Sequence, residues 1–283
     1  MSDFQEQIKN RLPDSVWNTA RASWYSLYRA SKWPAATFHP WRQISIQNLK
    51  KFKDIHLGER CFIIGNGPSL KNTDLSLLQN EYTFGMNRIY LLFPELGFSS
   101  TYYLSVNDLV IEQCAQDILS LQVPRFLSWR SRGFIKEALG DQNSLPIDPP
   151  LSFLHTTYTG PKFAHDARHR LWEGATVTYV AMQLAFHMGF TRVVLIGIDH
   201  SFTTKGKPNT TVVSPGDDPD HFDSNYFGKG FRWQLPDLET SELAYRRAGE
   251  NYSAANREIL DATIGGKLTV FPKVDYQSLF DRT

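Results

Sequence analysis

Cysteine is scarce in this sequence, and its scarcity excludes one class of protein. The 283 residues include two cysteines, Cys61 and Cys114, too few for the disulfide framework of a small secreted domain. Cys61 lies in an apolar run, which favours a reduced core residue. The polar N-terminus has no continuous apolar stretch of the kind found in a signal peptide. The sequence therefore predicts a cytoplasmic protein.

The sequence also lacks a strong net charge and any long hydrophobic run. Thirty Lys and Arg residues balance 29 Asp and Glu residues, for a formal net charge of +1. Because this balance offers no global electrostatic basis for binding nucleic acid, we expect no nucleic-acid partner. No segment approaches the roughly 20 apolar residues of a transmembrane helix. Hydrophobic residues still make up 41% of the chain, enough for a sizeable core.

Residues 1–58 differ in composition from the rest of the chain. They carry nine Lys or Arg against four Asp or Glu, and four of the seven tryptophans. The spacing of Val16, Ala20, Trp24 and Tyr28 predicts a helical arm. In one interpretation the arm packs on its own domain or on a second subunit of a homo-oligomer. In the other its basic and aromatic residues rest on an anionic membrane face.

Short apolar runs alternate with helical segments from residue 59 onward. Runs without polar alternation are typical of strands buried on both faces. Residues 177–188 have apolar side chains at helical spacing, and Gly189 ends the helix. The alternation predicts an α/β fold, a mostly parallel sheet with helices on both faces. The predicted strands are 61–65, 82–87, 101–106, 125–129, 193–199 and 268–271, and a second long helix is predicted at 240–263.

Residues 203–237 show no sustained period and are rich in Gly, Pro and Asp. Loops of this length in a compact domain are usually functional or disordered. Disordered segments are poor in aromatic residues, whereas this segment carries Phe222, Tyr226, Phe227, Phe231 and Trp233. We therefore predict a lid at about 203–237 that orders over a ligand, within a catalytic domain of residues 59–283.

The stretch "CFIIGNGPSL" (61–70) predicts a buried strand that ends in a turn with few side chains. In open parallel sheets, ligands bind beyond the carboxyl ends of the strands. Gly65 and Gly67 permit positive φ and close approach to a ligand, and N–H groups in such a turn can bind phosphate. Asn66 adds an uncharged donor and acceptor. The spacing matches neither the dinucleotide fingerprint nor the P-loop, and an ordinary strand-to-helix turn is the alternative.

Two further predicted strands end in asparagine, at Asn87 and Asn107. Asparagine is a common turn former, but three asparagines beside the glycine turn predict a polar, neutral pocket. A later strand ends in Gly197 and Asp199, and a carboxylate at such a strand end can take ribose hydroxyls. Thr176 opens the preceding helix, where it caps the helix or also faces the pocket.

His221 and Asp223 are the candidate general acid and base, by side-chain type and loop position. Asp217, Asp218 and Asp220 cluster with them. Because the spacing matches no defined metal cage and no cysteine joins the cluster, we predict no metal site.

Four segments in order resemble two related families: "IIGNGPSL", "MNRIY", "LSVND" and "VTYVAMQLAFHMGFTRVVLIGIDHSF". One is the domain of unknown function 115, which includes archaeal 6-hydroxymethylpterin diphosphokinase-like proteins. The other is the family 42 bacterial sialyltransferases, which share the Gly-Asn-Gly-Pro-Ser turn and the Gly-Ile-Asp strand end. The resemblance covers roughly residues 55–275.

This resemblance implies a Rossmann-like nucleotide-binding domain with a lid, which in the sialyltransferases closes over a CMP-sugar without a metal. The nucleotide-binding positions it implies are Asn66, Ser69, Asn87, Asn107, Thr176, Gly197 and Asp199. Lys229 stands where the sialyltransferase lid has a catalytic histidine, and Val177 stands where a serine helps bind the donor carboxylate. These departures argue against sialic acid as the sugar of the donor. They leave His221 as the alternative base, or Lys229 as a group that stabilises a departing phosphate.

Three hypotheses about function follow. The first is a glycosyltransferase for surface glycan or polysaccharide assembly, with a CMP-linked donor, a glycan or lipid-linked acceptor and no cofactor, working at the inner membrane face. The second is a pyrophosphokinase that transfers diphosphate from ATP to a pterin-like alcohol. It needs Mg²⁺, for which Asp108, Asp199 and the acidic lid are candidate ligands. The third is a non-catalytic nucleotide-binding or scaffold protein.

Overall fold

The computed structural model describes residues 14–140 and 144–281, and the chain divides into two compact units between Gln43 and Ile44. Helix α1 (Asp14–Phe38) lies in the first unit, and helix α2 (Pro40–Phe52) begins there. The side chains of Trp24 and Leu27 are exposed on α1. Residues 1–13 of the predicted arm lie outside the described part of the chain. The arm boundary at residue 58 and the surface on which the arm rests stay predictions.

The second unit is built on one parallel sheet of eight strands, and a short antiparallel hairpin lies apart from it. The sheet strands are β1 (Arg60–Ile64), β2 (Tyr82–Met86), β3 (Tyr102–Ser105), β4 (Arg125–Ser128), β5 (Leu151–Thr157), β6 (Arg170–Trp172), β7 (Arg192–Ile196) and β10 (Glu258–Asp261). The hairpin strands are β8 (Thr211–Val213) and β9 (Arg232–Gln234). The helices are α3 (Phe93–Leu96), α4 (Asp108–Ser120), α5 (Arg132–Leu139), α6 (Val177–Met188) and α7 (Leu238–Ala254). The predicted α/β fold is confirmed.

Strand β1 shows how the sequence builds the core. Its alternating side chains serve both faces of the sheet: Cys61 and Ile63 join the main core cluster with α6, whereas the ring of Phe62 stacks 5.7 Å from the ring of Phe280. Four of its five residues are buried, so the run contains no polar alternation. A strand of this kind is stable only in the middle of a sheet covered on both sides.

The strand order reverses beside β1. The order across the sheet is β10-β7-β1-β2-β3-β4-β5-β6. The chain therefore moves in one direction from β1 to β6 and then returns to the other side of β1 with β7 and β10. In open α/β sheets the crevice for ligands lies at such a reversal, outside the carboxyl ends of the strands. The fold thus singles out the carboxyl ends of β1 and β7.

The sequence prediction was wrong near the C-terminus and incomplete in the middle. The predicted helix 240–263 ends at Ala254, and Glu258–Asp261 forms β10 instead of the predicted strand 268–271. Asn256 breaks the helix with φ +56°, and pairing with β7 then favours an extended chain. Strands β5 and β6 were not predicted. By contrast, α6 begins and ends as predicted, with Gly189 at φ +96° after its last turn.

Candidate functional site

A cavity of about 250 Å³ lies at the carboxyl ends of β1, β2, β3 and β7. Nine of the predicted site residues line it together: Gly65, Asn66, Gly67, Asn87, Asn107, Thr176, Gly197, Asp199 and His221. Eight of them form what we call the sheet-edge wall. The opposite side, which we call the loop wall, consists of His221, Tyr226, Phe227 and Trp233 from the segment 200–237. Ser69, Asp223 and Lys229 do not line the cavity.

The glycine turn after β1 joins two strands tightly together. Gly65 and Gly67 donate their N–H groups to the carbonyls of Ile196 and Gly197 at 2.8 and 2.9 Å. A Cβ atom on Gly67 would lie 1.8 Å from Asp199 Oδ2, and one on Gly65 would lie 2.2 Å from the Gly197 carbonyl oxygen. Gly67 has φ −70°, so positive φ is not the reason for glycine there. The reason is close packing, and these two N–H groups are not free for a phosphate.

Ser69 fixes the carboxylate of Asp199 with two hydrogen bonds. The Ser69 hydroxyl donates to Asp199 Oδ2 at 2.7 Å, and the Ser69 N–H donates to Oδ1 at 3.1 Å. Ser69 is buried, so it acts on the cavity through Asp199 and not by facing it. Both carboxylate oxygens accept a hydrogen bond in a fixed orientation, which stabilises the anion and keeps it at the cavity edge.

Asn66 has an unsatisfied acceptor. Its Oδ1 is buried and has no hydrogen-bond partner among the described residues. A buried polar atom without a partner costs free energy, on the order of 1–3 kcal/mol, and such atoms are rare in folded proteins. An N–H or O–H group of a ligand in the cavity would satisfy Asn66 Oδ1.

Hydrogen bonds to their side-chain oxygens fix the orientation of Asn87 and Asn107. Asn87 Oδ1 accepts from the Ser105 hydroxyl at 3.0 Å. Asn107 Oδ1 caps α4 and accepts from the N–H groups of Leu109 and Val110 at 3.0 and 3.3 Å. With the oxygens occupied, each side-chain NH₂ group is a donor without a partner in the described chain. Two neutral donors at the same edge of the sheet suit the oxygens of a phosphate or a sugar.

The first turn of α6 also faces the cavity. Thr176 caps this helix and accepts from the Thr178 N–H at 3.3 Å. The chain enters the helix through Gly174 and Ala175, both at positive φ (+53° and +60°). A helix N-terminus offers unpaired N–H groups and a partial positive charge, and it is therefore suited to an anion. This strained entry brings the turn against the cavity, so α6 and not the glycine turn is the better phosphate site.

An ion-pair network that could not be predicted from the sequence stabilises the loop that leads into α6. Glu173 is 3% exposed and lines the cavity, and the Arg130 guanidinium, from the turn after β4, donates to it. Burial raises the pKa of Glu173, and the charge of Arg130 opposes that rise. Arg130 also donates to Asp108 at 3.1 Å and to the Tyr158 hydroxyl at 2.6 Å. One side chain thus ties together the ends of β3, β4 and β5 and the loop before α6.

His221 on the loop wall is oriented by a carboxylate. Its Nδ1 lies 2.9 Å from both oxygens of Asp218, which is 8% exposed. Its ring stacks on Tyr226 with centroids 4.0 Å apart and planes 5° apart. An Asp carboxylate at Nδ1 favours the N–H tautomer there and leaves Nε2 as the base. Asp218 belonged to the acidic cluster in the sequence, but nothing in the sequence distinguished it as the partner of His221.

Hydrogen bonds, most of them to main-chain carbonyls, attach the loop wall to the sheet edge. The Phe222 N–H donates to the Asn66 carbonyl at 3.0 Å. The Arg88 guanidinium, which follows β2, donates to the carbonyls of Asn225 and Tyr226. The Tyr226 hydroxyl accepts from the Arg88 N–H at 3.3 Å. These bonds attach the loop wall to the residues that follow β1 and β2.

The remaining predicted catalytic residues lie outside the cavity. Lys229 is exposed, and the Asp223 carboxylate accepts from the Asn225 N–H at 2.8 Å, which stabilises a local turn. Among residues 14–140 and 144–281, no group of three or more His, Cys, Asp or Glu side chains could hold a metal ion.

A second hollow, of about 610 Å³, lies at the amino ends of β1, β7 and β10. Its arginines are already bonded: Arg60 pairs with Glu81, Arg192 pairs with Glu258, and Arg257 donates to the Phe186 carbonyl. It lies at the opposite edge of the sheet from the asparagines and His221. The carboxyl-end cavity is therefore the candidate site.

Comparisons with known proteins give one weak likeness. No family model matches the chain, and no curated protein matches it. Among solved structures, the chain is similar to the MAf glycosyltransferase from Magnetospirillum magneticum AMB-1, with 14% identity and a TM-score of 0.47. The likeness covers 91% of this chain but 42% of that one, so this chain spans less than half of that protein's length. No described helix is long and apolar enough to cross a membrane. At this TM-score the likeness has no bearing on activity, which must be inferred from the site.

Proposed function

We propose that this chain is a glycosyltransferase that uses a nucleotide-activated, CMP-linked sugar. The observation that carries the proposal is the cavity at the strand-order reversal, where a mostly neutral edge with unpaired amide groups shares one cavity with an Asp–His pair. The neutral edge suits a nucleotide and a sugar, and the Asp–His pair suits removal of a proton from a hydroxyl. The hollow at the amino ends of β1, β7 and β10 has no such Asp–His pair.

The sheet-edge wall would hold the donor. The first turn of α6 would receive the phosphate, with the NH₂ groups of Asn87 and Asn107 as further donors to its oxygens or to the sugar. Asn66 Oδ1 would accept from an amino group of the base or from a ribose hydroxyl. Asp199, fixed by Ser69, is the candidate for the other ribose contact.

The loop wall would supply the base. His221 Nε2 would take the proton of an acceptor hydroxyl as its oxygen bonds to the anomeric carbon of the donor sugar. The bond from that carbon to the phosphate oxygen breaks, and CMP leaves with the electron pair. Asp218 would stabilise the imidazolium that results, and the N–H groups at α6 would stabilise the charge on the leaving phosphate.

The finer parts of the proposal rest on the sequence resemblance. The resemblance of four segments to the family 42 sialyltransferases favours a cytidine nucleotide. Val177 and Lys229 replace the serine and the histidine of the sialyltransferases, which favours a sugar other than sialic acid. A glycan or lipid-linked acceptor in surface glycan assembly, at the inner face of the membrane, fits the basic and aromatic arm.

The direct test is a thermal-shift panel of CMP, CDP, UDP, GDP and ATP, each with Mg²⁺ and with EDTA. A ligand at 100 times its Kd stabilises the native state by about 2.7 kcal/mol. We expect CMP to raise the melting temperature equally in both conditions, and the protein to release CMP from CMP-sugars. If only ATP with Mg²⁺ gives a shift, the glycosyltransferase proposal fails in favour of the pyrophosphokinase. CMP binding without any turnover would favour a non-catalytic protein.

A further inference from the structure

The cavity has an aromatic end that none of the proposed donor contacts uses. Trp233 is half-buried on β9 and lines the cavity on the side of the loop wall. Its ring stacks on Phe227, with centroids 5.4 Å apart and planes 24° apart. Asn209 and Gln234 line the same end and are exposed. Neither side-chain amide has a hydrogen-bond partner among the described residues.

Trp233 is held more firmly than its irregular surroundings suggest. It pairs with Val212 across the hairpin. The Gln113 side chain, from α4, accepts from the Arg232 N–H at 2.9 Å and donates to the Arg232 carbonyl at 2.8 Å. Arg232 also pairs with Glu112 at 2.9 Å. A side chain fixed from both sides in this way can serve as a pre-formed binding surface.

This surface lies close to the candidate base. The Phe227 ring contacts both residues, with its centroid 4.8 Å from that of His221 and 5.4 Å from that of Trp233. The separation of one aromatic ring is comparable to the size of one sugar ring. Trp233 and His221 thus contact the same ring and line the same cavity.

We propose that Trp233 is the platform for the acceptor, and that the acceptor is a carbohydrate whose apolar ring face lies on the indole. This inference rests on the proposed function and names the substrate class for the second half of the site. The C–H groups on one face of a pyranose pack against the electron-rich face of an aromatic ring. The hydroxyls at its edge both donate and accept, as do the amides of Asn209 and Gln234. We place its reacting hydroxyl toward His221, which contacts the same Phe227 ring as Trp233.

The experiment uses two variants and one matched control. Trp233→Ala removes the platform, and Trp233→Phe keeps an aromatic face. The control is Val213→Ala, an exposed residue of the same hairpin that does not line the cavity. The probes are methyl β-galactoside, methyl β-glucoside and their N-acetylamino analogues. Methyl glycosides are chosen because an aryl group could itself stack on any aromatic side chain.

Two readouts separate this inference from the proposed function. Saturation-transfer NMR measures binding of the methyl glycosides without turnover, and calorimetry measures binding of CMP. We expect saturation transfer from the wild-type protein to at least one glycoside, its loss in Trp233→Ala and its retention in Trp233→Phe and Val213→Ala. Where a glycoside is a substrate, Trp233→Ala should raise its KM about tenfold and leave CMP affinity unchanged.

Three results would overturn the inference. The first is a wild-type protein that shows no saturation transfer to any of the glycosides. The second is glycoside binding that persists in Trp233→Ala, which would make Trp233 a packing residue of the hairpin. The third is a Trp233→Ala variant with weaker CMP binding, which would make Trp233 a platform for the nucleobase. If the wild-type protein binds glycosides through Trp233 but not CMP, the platform stands and the nucleotide half of the proposed function fails.

Discussion

The two walls of the cavity are built by different means. The sheet-edge wall consists of strand ends and a helix start, and its side chains are small and neutral, with Asp199 as the exception. The loop wall consists of aromatic rings and His221 on a segment with one short hairpin. Parallel pairing with neighbouring strands fixes the first. Stacking and a few main-chain bonds hold the second. We infer that the first wall binds the donor, and that the second binds the acceptor and supplies the base.

Replacement of His221 should give the largest effect and should separate the roles of the two walls most clearly. His221→Ala should lower the rate of sugar transfer by about 10²- to 10⁴-fold, because it removes the general base. Nucleotide affinity should stay within about threefold, since the opposite wall is intact. Turnover of a CMP-sugar and calorimetric titration with CMP measure the two quantities. Asp218→Asn should lower the rate in the same direction, because an amide cannot stabilise the imidazolium.

The control for this prediction is His169→Ala, since His169 is exposed and does not line the cavity. Its rate of sugar transfer should equal that of the wild-type protein. A His221→Ala variant with full transfer activity would show that the loop wall does not contain the base.

Gly67→Ala tests how tightly the sheet-edge wall is packed. The new Cβ would meet Asp199 Oδ2 at 1.8 Å, so Asp199 must move. Overpacking of this kind typically costs about 1–3 kcal/mol, and CMP binding should weaken as well. Urea unfolding and CMP titration measure the two effects. Gly133→Ala is the matched control, because no atom beyond its chain neighbours and the backbone of α5 lies within 4 Å of the position that its new methyl group would take. If both variants bind CMP equally well, the glycine turn is an ordinary structural turn.

Asn107→Asp gives the smallest and most selective change. Aspartate caps a helix as well as asparagine does, so the bonds to Leu109 and Val110 persist and stability should change by less than about 0.5 kcal/mol. The NH₂ donor is lost and a negative charge replaces it. CMP affinity should fall about tenfold if the group faces phosphate.

Asn107→Ala separates the two roles of this side chain. It loses the cap and should cost about 1 kcal/mol of stability. Unchanged CMP affinity in Asn107→Asp would show that the NH₂ group does not face the donor, and would remove Asn107 from the binding wall.

The residues at the strand ends could be predicted from sequence, whereas most of the contacts that hold the site together could not. The apolar strands and the residues that end them could be predicted from sequence, because the carboxyl ends of parallel strands meet at one edge. Glu173 and Arg130 could not, since they are far apart in sequence and only the sheet brings them together. Asp218 was visible but was one of several acidic residues beside His221. Strand β10 was mistaken for helix because pairing with β7, which local sequence does not encode, decides its conformation.

A structure of the protein with CMP would test the central claim most directly. We predict that the phosphate lies at the first turn of α6, within hydrogen-bond distance of the backbone N–H group of Val177. The nucleoside should lie along Asn66 and the edge formed by β1 and β7. CMP bound instead at the amino-end hollow beside Arg60 and Arg192, with the carboxyl-end cavity empty, would contradict the account.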